Sequence, residues 1–411
     1  MLFKIFSLLF FSRDKSLKIR HSLLNQHTFD YTEDSKADSF LFFREIKYLF
    51  NRLNLNSKKE CFNGVGIFIL SDTHKTKSLN FINSVDEIDF VLTKDDLIRS
   101  KNFFERFFML FIISIISLVT LPLSGLEKFN KLNLILFSRH FINAMIIGNR
   151  LKNKCKKLYY FHTHDPDANL NISLLEHLNI EVIAIPNSNP LFMYNSNLIA
   201  KNYFLTLGYQ IEEFNFFYKR ENKSFIFQEI PFLKFYYNDF IKKRKKLCYY
   251  SHCSWLRILK NQNLPNFNDV LMELKLLEGI KKMKLLRKYQ VTVCLHPKEK
   301  ATKKIHTQSK EYYKNIFGNN VKFYKDTSYN SFNEYEVGFG SLTSILFERI
   351  QCAHKTLIFF EKLTSFPLPN SKFNNFLTDN LSKLESRIDK LIFLDDDYMK
   401  IENSIYTYLN K

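Results

Sequence analysis

VTVCLHPKEK, residues 291–300, reads as a short buried strand stopped abruptly by His296 and Pro297. Apolar and β-branched residues run from Val291 to Leu295 with little alternation, the pattern of a strand covered on both faces. Proline then fixes φ and removes a backbone donor, so the strand cannot continue. An imidazole is thereby placed at the carboxyl end of a strand, where open parallel sheets bind their ligands. A second stretch, EVGFGSLTSILFERI (336–350), repeats the arrangement with hydroxyl groups. There an apolar strand passes Gly338 and Gly340, and Ser341, Thr343 and Ser344 open a helix.

The surrounding chain obeys the same grammar. LCYYS (247–251), VKFY (321–324) and TLIFF (356–360) read as further strands. NDVLMELKLLEGIKKMKLLRKY (268–289) reads as an amphipathic helix capped by Asn268 or Asp269, and further helices are expected near 309–316 and 342–353. Strands alternating with helices predict an α/β domain with a parallel, Rossmann-like sheet. In the first half, GVGIFILSD (64–72), IDFVL (88–92), KLYYFHTHD (157–165) and IEVIAIP (180–186) look like parallel strands with polar tips. The expected architecture is two Rossmann-like domains facing a central cleft, over residues 1–240 and 247–411. The basic run KKRKK (242–246) lies between them as a hinge, and C-terminal helices from about Ser382 and over 396–409 are expected to pack back onto the first domain.

Composition narrows the function. The 411 residues are 45% hydrophobic with only 9 Gly and 9 Pro, which excludes a loop-rich or disordered chain. A formal net charge of +19 calls for anionic partners. No zinc-finger spacing, RNP-like aromatic motif or basic heptad array accompanies the lysines, so nucleic acid is the weakest candidate partner. An anionic small substrate and an anionic membrane surface remain. The six cysteines (61, 155, 248, 253, 294, 352) are scattered, as free thiols of a reduced compartment would be. Cys248 and Cys253 flank His252 without a second ligand pair at zinc-like spacing. The start, MLFKIFSLLFFSRDK, lacks a small-residue cleavage site and reads as a core or membrane-touching helix. FFMLFIISIISLVTLPLSGL (107–126) carries no charge and is long enough to span a bilayer. A helix buried between layers and one lying on the inner membrane face are the two leading readings, and full spanning is the third.

The two strand tips suggest one bound phosphate. A helix N-terminus offers unpaired N–H groups and partial positive charge, and hydroxyls add short hydrogen bonds. Gly338 and Gly340 would let the backbone come close, His296 could donate to the same phosphate, and Glu348 could accept from ribose hydroxyls. Taken singly, an HP pair is a strand stop and a Ser or Thr opening a helix is an N-cap. It is their recurrence on two strands of one predicted sheet that points to a ligand.

An HP pair closing a strand, a Ser/Thr-rich strand-to-helix turn and a helix Glu together resemble the nucleotide-binding half of bacterial GT-B glycosyltransferases. The nearest members are the CMP-sialic-acid-dependent sialyltransferases and polysialyltransferases with their HP and Ser-Ser/Thr motifs. YYSHCSWLR (249–257) also resembles the opening strand and turn of the second domain in polysaccharide-biosynthesis proteins of this type. The resemblance covers roughly residues 245–360. It implies a GT-B-like fold and donor binding through His296, Gly340, Ser341, Thr343 and Ser344, with Glu348 on the ribose. It further implies metal-independent, inverting transfer of a sialic-acid-like sugar onto a surface or capsular glycan. No cofactor is expected, and the expected place is the inner face of the cytoplasmic membrane. The acidic Asp/Glu-Asp/Glu-Gly motif that carries the base in those enzymes has no counterpart here. Asp72 and Asp165, at predicted strand tips, are the candidate bases, with His74, His162 and His164 as further candidates.

Two other classes remain open. SDTH (71–74) is similar to the first metal motif of metallophosphoesterases, and HTHD (162–165) to the start of PHP-type phosphoesterases. The later motifs of the former are absent, and further ligands for the latter do not line up. A non-catalytic polysaccharide assembly factor that keeps the fold without the base is the third class. DDD (395–397) precedes the last predicted helix and reads as its cap, so no metal pair is assigned to the transfer.

Overall fold

A computed structural model of the chain describes residues 4, 8, 62–69, 75–93, 140, 143–161, 168–185, 198–206, 211–218, 222–238, 246–260, 267–283, 288–361 and 376–394. The chain forms two compact units. One comprises residues 1–187, 195–204 and 217–226, and the other 188–194, 205–216 and 227–411.

The elements follow in chain order. They begin with β1 (Gly64–Ile69), α1 (Lys75–Ile82), β2 (Phe90–Thr93), β3 (Cys155–Phe161), α2 (Ala168–His177) and β4 (Glu181–Ile185). Next come β5 (Asn202–Leu205), α3 (Ile211–Tyr218), β6 (Ser224–Phe227), a 3-10 turn (Pro231–Tyr236), β7 (Lys246–Tyr250), α4 (Ser254–Lys260) and α5 (Phe267–Lys282). After these lie β8 (Gln290–Cys294), a second 3-10 turn (Pro297–Lys300), α6 (Lys303–Phe317), β9 (Lys322–Phe323), α7 (Ser331–Glu334) and β10 (Val337–Gly340). The described chain closes with α8 (Ser344–Gln351), β11 (Thr356–Phe359), β12 (Leu377–Thr378), a third 3-10 turn (Leu381–Lys383) and α9 (Leu384–Phe393).

The first sheet has six strands in the order β2-β1-β3-β4-β5-β6. The pairs β1–β2, β1–β3, β3–β4 and β4–β5 are all parallel. Its centre is the apolar stretch of β1, from Ile67 to Ile69, against Leu158, Tyr159 and Tyr160 of β3, all buried. Phe68 and Tyr160 stack with centroids 4.6 Å apart, which ties the two strands on one face. At the start of β3, Asp86 accepts from both Lys157 Nζ and Tyr159 Oη at 2.9 Å.

The second sheet runs β12-β11-β10-β7-β8-β9, again with parallel pairs throughout. Every residue of β10 and β11 is buried, as is each of Leu247–Tyr250 and Val291–Cys294. Burial on both faces explains why these strands read as continuous apolar runs. Counted from β7, successive strands build outward to β8 and β9 and then cross to β10, β11 and β12. The order therefore reverses between β7 and β10, the switch point at which doubly wound sheets open a crevice beyond their carboxyl ends. In the first sheet the corresponding reversal, among the described strands, lies between β1 and β3.

The α/β class and the two parallel sheets agree with the sequence reading. The short strands β5, β6 and β12 were not expected. They are two to four residues long and lack the long apolar run that marks a central strand. Among the described residues no helix is long and apolar enough to cross a membrane, and the segment 107–126 lies outside them.

Candidate functional site

The carboxyl ends of β10, β7 and β8 lie side by side, because Gly340 and Cys294 both pair with Tyr250. The turns that leave these strands form one edge of the second unit.

β7 leaves through Ser251, His252 and Cys253. Cys253 has φ = 66°, a left-handed conformation uncommon for a residue with a Cβ, and it turns the chain sharply into α4. Ser251 Oγ accepts from Cys253 N at 2.9 Å and meets Tyr313 Oη at 2.6 Å. The buried carboxylate of Glu273, on α5, secures the turn from another side. It accepts from Tyr249 Oη and His252 N, each at 2.6 Å, and from Ser254 N at 2.8 Å.

A second buried carboxylate organises the β8 turn. Glu299 accepts from Trp255 Nε1 at 2.6 Å, His296 N at 2.8 Å and Tyr313 Oη at 3.1 Å. Burial raises its pKa above the usual carboxylate value, while hydrogen bonds from Ser251, His296 and Trp255 pull the other way. Pro297 opens the 3-10 turn and His296 caps it, with Nδ1 accepting from Lys298 N at 3.1 Å. Glu299 reaches back to His296 N, which completes a capping box. The ring proton of neutral His296 therefore sits on Nε2, which has no partner among the described residues.

β10 leaves through Ser341 into α8. The room left by its two glycines is filled from within the unit. A Cβ on Gly340 would stand 2.7 Å from the Tyr250 carbonyl oxygen, and one on Gly338 would stand 2.5 Å from Arg349 Nε. Arg349 is fully buried and donates to the carbonyls of Tyr335 at 2.6 Å and Phe332 at 3.0 Å. Thr343 is the N-cap of α8, yet its hydroxyl makes no capping bond. Glu348, one turn further on, is buried and accepts from Tyr329 Oη at 2.8 Å.

Polar atoms at this edge stand out because they lack partners. His252 Nδ1, Ser254 Oγ, Arg257 Nε and Ser341 Oγ are all buried without a hydrogen bond among the described residues. Such groups are rare in folded proteins and each costs about 1–3 kcal/mol if nothing binds it. Four of them, on the turn after β7, the first helical turn of α4 and the turn after β10, make this edge the candidate place for a polar ligand. The local charge says which kind. Burial, then the positive charge of Arg257, lowers His252 to about 3 and His296 to about 4, and Lys298 acts in the same direction on both. Two neutral imidazoles beside a guanidinium and an ammonium form a set of donors suited to an anion.

The structure places His296 after β8 and Gly340, Ser341, Thr343 and Ser344 at the end of β10, the two strands that flank β7, with Glu348 on the helix that follows. Asp72 and Asp165, like His74, His162 and His164, lie outside the described residues. β1 and β3, which these candidates follow in sequence, are adjacent strands at the reversal of the first sheet. Among the described residues no group of three or more His, Cys, Asp or Glu could hold a metal ion. Burial pushes the Cys253 thiol up to about 12, so this turn presents a thiol and not a thiolate. Sequence reading missed His252, Ser254 and Arg257 as one polar set, and Glu273 and Glu299 as its supports. The available signal was SHCSWLR (251–257) directly after a strand, a concentration of polar groups at a carboxyl end.

No family model matches the chain, and no curated protein matches it. Among solved structures it is similar to UDP-GlcNAc 2-epimerase from Neisseria meningitidis bound to UDP-GlcNAc, at 10% identity and a TM-score of 0.44, covering 85% of this chain and 98% of that one. It is also similar to a Thermobaculum terrenum O-GlcNAc transferase, at 9% identity and a TM-score of 0.40, over 99% and 79% of the two chains. A third likeness is to Acinetobacter baumannii MurG, at 8% identity and a TM-score of 0.33, over 85% and 91%. All three are distant, and the functional reading rests on the site's own groups.

Proposed function

We propose that this chain is a GT-B-like glycosyltransferase that moves a sugar from a nucleotide donor onto a surface or capsular glycan without a metal ion. The observation that carries this reading is the set of unpartnered buried donors at the switch point of the second sheet, beside two neutral imidazoles. That edge fits a phosphate ester better than a neutral ligand, because every side chain named there can donate a hydrogen bond.

In the proposed mechanism the donor phosphate lies at the β7, β8 and β10 turns. His296 donates through Nε2, Ser341 and Ser344 through their hydroxyls, and the open N-terminus of α8 adds its partial positive charge. As the sugar leaves, negative charge grows on the departing phosphate and these donors stabilise it. A carboxylate of the first unit, Asp72 or Asp165, would take the proton of the acceptor hydroxyl as it attacks. Glu348 would accept from the ribose after exchanging its bond with Tyr329. A CMP donor and a sialic-acid-like sugar follow from the resemblance of the HP and Ser/Thr motifs. The basic surface would serve donor, anionic glycan and the inner membrane face together.

Calorimetric titration with CMP, CDP, UMP, UDP and GDP tests the reading, with His296→Ala as the control. One nucleotide should bind the wild type, and the substitution should weaken it by about 1.5–3 kcal/mol, the value of a charged hydrogen bond. Binding by none of the five would remove the transferase reading. Binding without sugar transfer to any glycan acceptor would favour the non-catalytic assembly factor.

A further inference from the structure

We propose that His252 is a second imidazole donor to the same phosphate, and that Arg257 positions it by fixing its tautomer. The inference rests on the reading that an anion occupies this edge.

Both backbones are held. His252 N is bonded to Glu273, and Arg257 N donates to Cys253 O at 3.2 Å within the first turn of α4. Arg257 Nη1 stands 3.3 Å from His252 Nε2. A guanidinium has donors only, so Nε2 must accept, and the single proton of the neutral ring is on Nδ1. That Nδ1–H is one of the buried donors with no partner among the described residues. At His296 the logic runs the other way, because Lys298 N occupies Nδ1 and leaves the proton on Nε2. The two rings thus present opposite nitrogens. Charged groups facing them are Arg257 from α4, Lys298 from the 3-10 turn and Glu273 from α5. His252 and His296 therefore act as a pair, one held by an arginine and the other by a backbone amide. Arg257 has a second part in the arrangement, since its buried Nε also lacks a partner among the described residues.

Amide side chains separate the two nitrogens. Asparagine places its N–H near the position of Nδ1, and glutamine near that of Nε2. Titrations of the full chain with CMP, UDP and inorganic pyrophosphate should give opposite orders at the two positions. His252→Asn should stay within about threefold of wild type while His252→Gln loses about tenfold. At 296 the glutamine variant should bind and the asparagine variant should lose about tenfold. Nitrogen-15 spectra of the histidine rings should show His252 as the Nδ1–H tautomer in the wild type and in Arg257→Lys, and as Nε2–H in Arg257→Met. A merely structural arginine would leave the tautomer unchanged. Equal loss for Asn and Gln at 252, with discrimination retained at 296, overturns this inference and leaves the donor site standing. An Nε2–H signal from His252 in the wild type overturns it as well. If the wild type binds none of the three probes, the inference and the donor site fall together.

Discussion

Ser341 and His296 illustrate two ways in which a side chain can be set aside for a ligand. The Ser341 hydroxyl is buried without a partner among the described residues, where it contributes desolvation cost and no hydrogen bond. Ser341→Ala should therefore leave the urea unfolding free energy unchanged or raise it by up to about 1 kcal/mol, while weakening nucleotide binding in calorimetry. A structural hydroxyl would show the reverse, with lower stability and unaltered binding. The imidazoles give a pH dependence whose sign follows from their depressed pKa values. Below the ordinary value of 6.5 the unfolded chain takes up protons that the folded chain refuses until about 4 at His296 and about 3 at His252. Stability carried by these groups is complete above pH 6.5 and is lost progressively as the pH falls toward those values. In denaturant titrations between pH 7.5 and 4.5, the double variant His252→Asn/His296→Gln should show a shallower decline than the wild type. Parallel slopes would mean that the two rings titrate alike in the folded and the unfolded chain.

The turns matter as units because their supports come from elsewhere in the sequence. The β7 turn depends on Glu273 of α5 and Tyr313 of α6, and the β8 turn on its own Glu299, which Trp255 of α4 and Tyr313 of α6 hold in place. At the β10 turn the support is the closeness of two backbones. Gly340→Ala would put a methyl group 2.7 Å from the Tyr250 carbonyl oxygen, which belongs to a central strand and cannot step aside. The expected cost is about 1–3 kcal/mol in a urea melt, as for other overpacked cores, together with weaker nucleotide binding because the turn moves. Gly338→Ala meets the Arg349 side chain instead, whose hydrogen bonds to Tyr335 and Phe332 oppose any shift. A wild-type melt for Gly340→Ala would show that the strand pair can open at no cost.

A net charge of +19 over the whole molecule acts at longer range than any of these contacts. An anionic donor is drawn to the chain at low ionic strength, and the attraction fades as the Debye length shortens from about 10 Å at 0.1 M salt to about 3 Å at 1 M. Nucleotide affinity should fall severalfold between 50 and 500 mM sodium chloride while the urea midpoint changes little. An affinity indifferent to salt would assign binding to contacts that do not involve charge. The division into units belongs to this level too. Residues on the amino-terminal side of β7 are bonded into the second unit, with His354 Nε2 2.7 Å from Tyr236 O and Asn238 N donating to Cys352 O at 2.9 Å.

From its sequence alone this protein was determined to be an α/β chain with parallel strands ending in polar tips. The reason is local: a strand buried on both faces must be apolar throughout, and a proline or a Ser/Thr-opened helix stops it visibly, as at Pro297 and Ser344. His296 and the 341–344 turn were legible for the same reason, being each a few residues past such a strand. Only the structure showed which nitrogen of each imidazole is engaged, because that depends on the turn geometry that brings Arg257 and the Lys298 amide to the rings. It also decided that Gly338 serves Arg349, and that Glu273 and Glu299 are supports rather than surface acids. A carboxylate on an amphipathic helix, such as Glu273, looks solvated in sequence, and becomes a buried acceptor only when the turn leaving β7 brings its backbone donors to it.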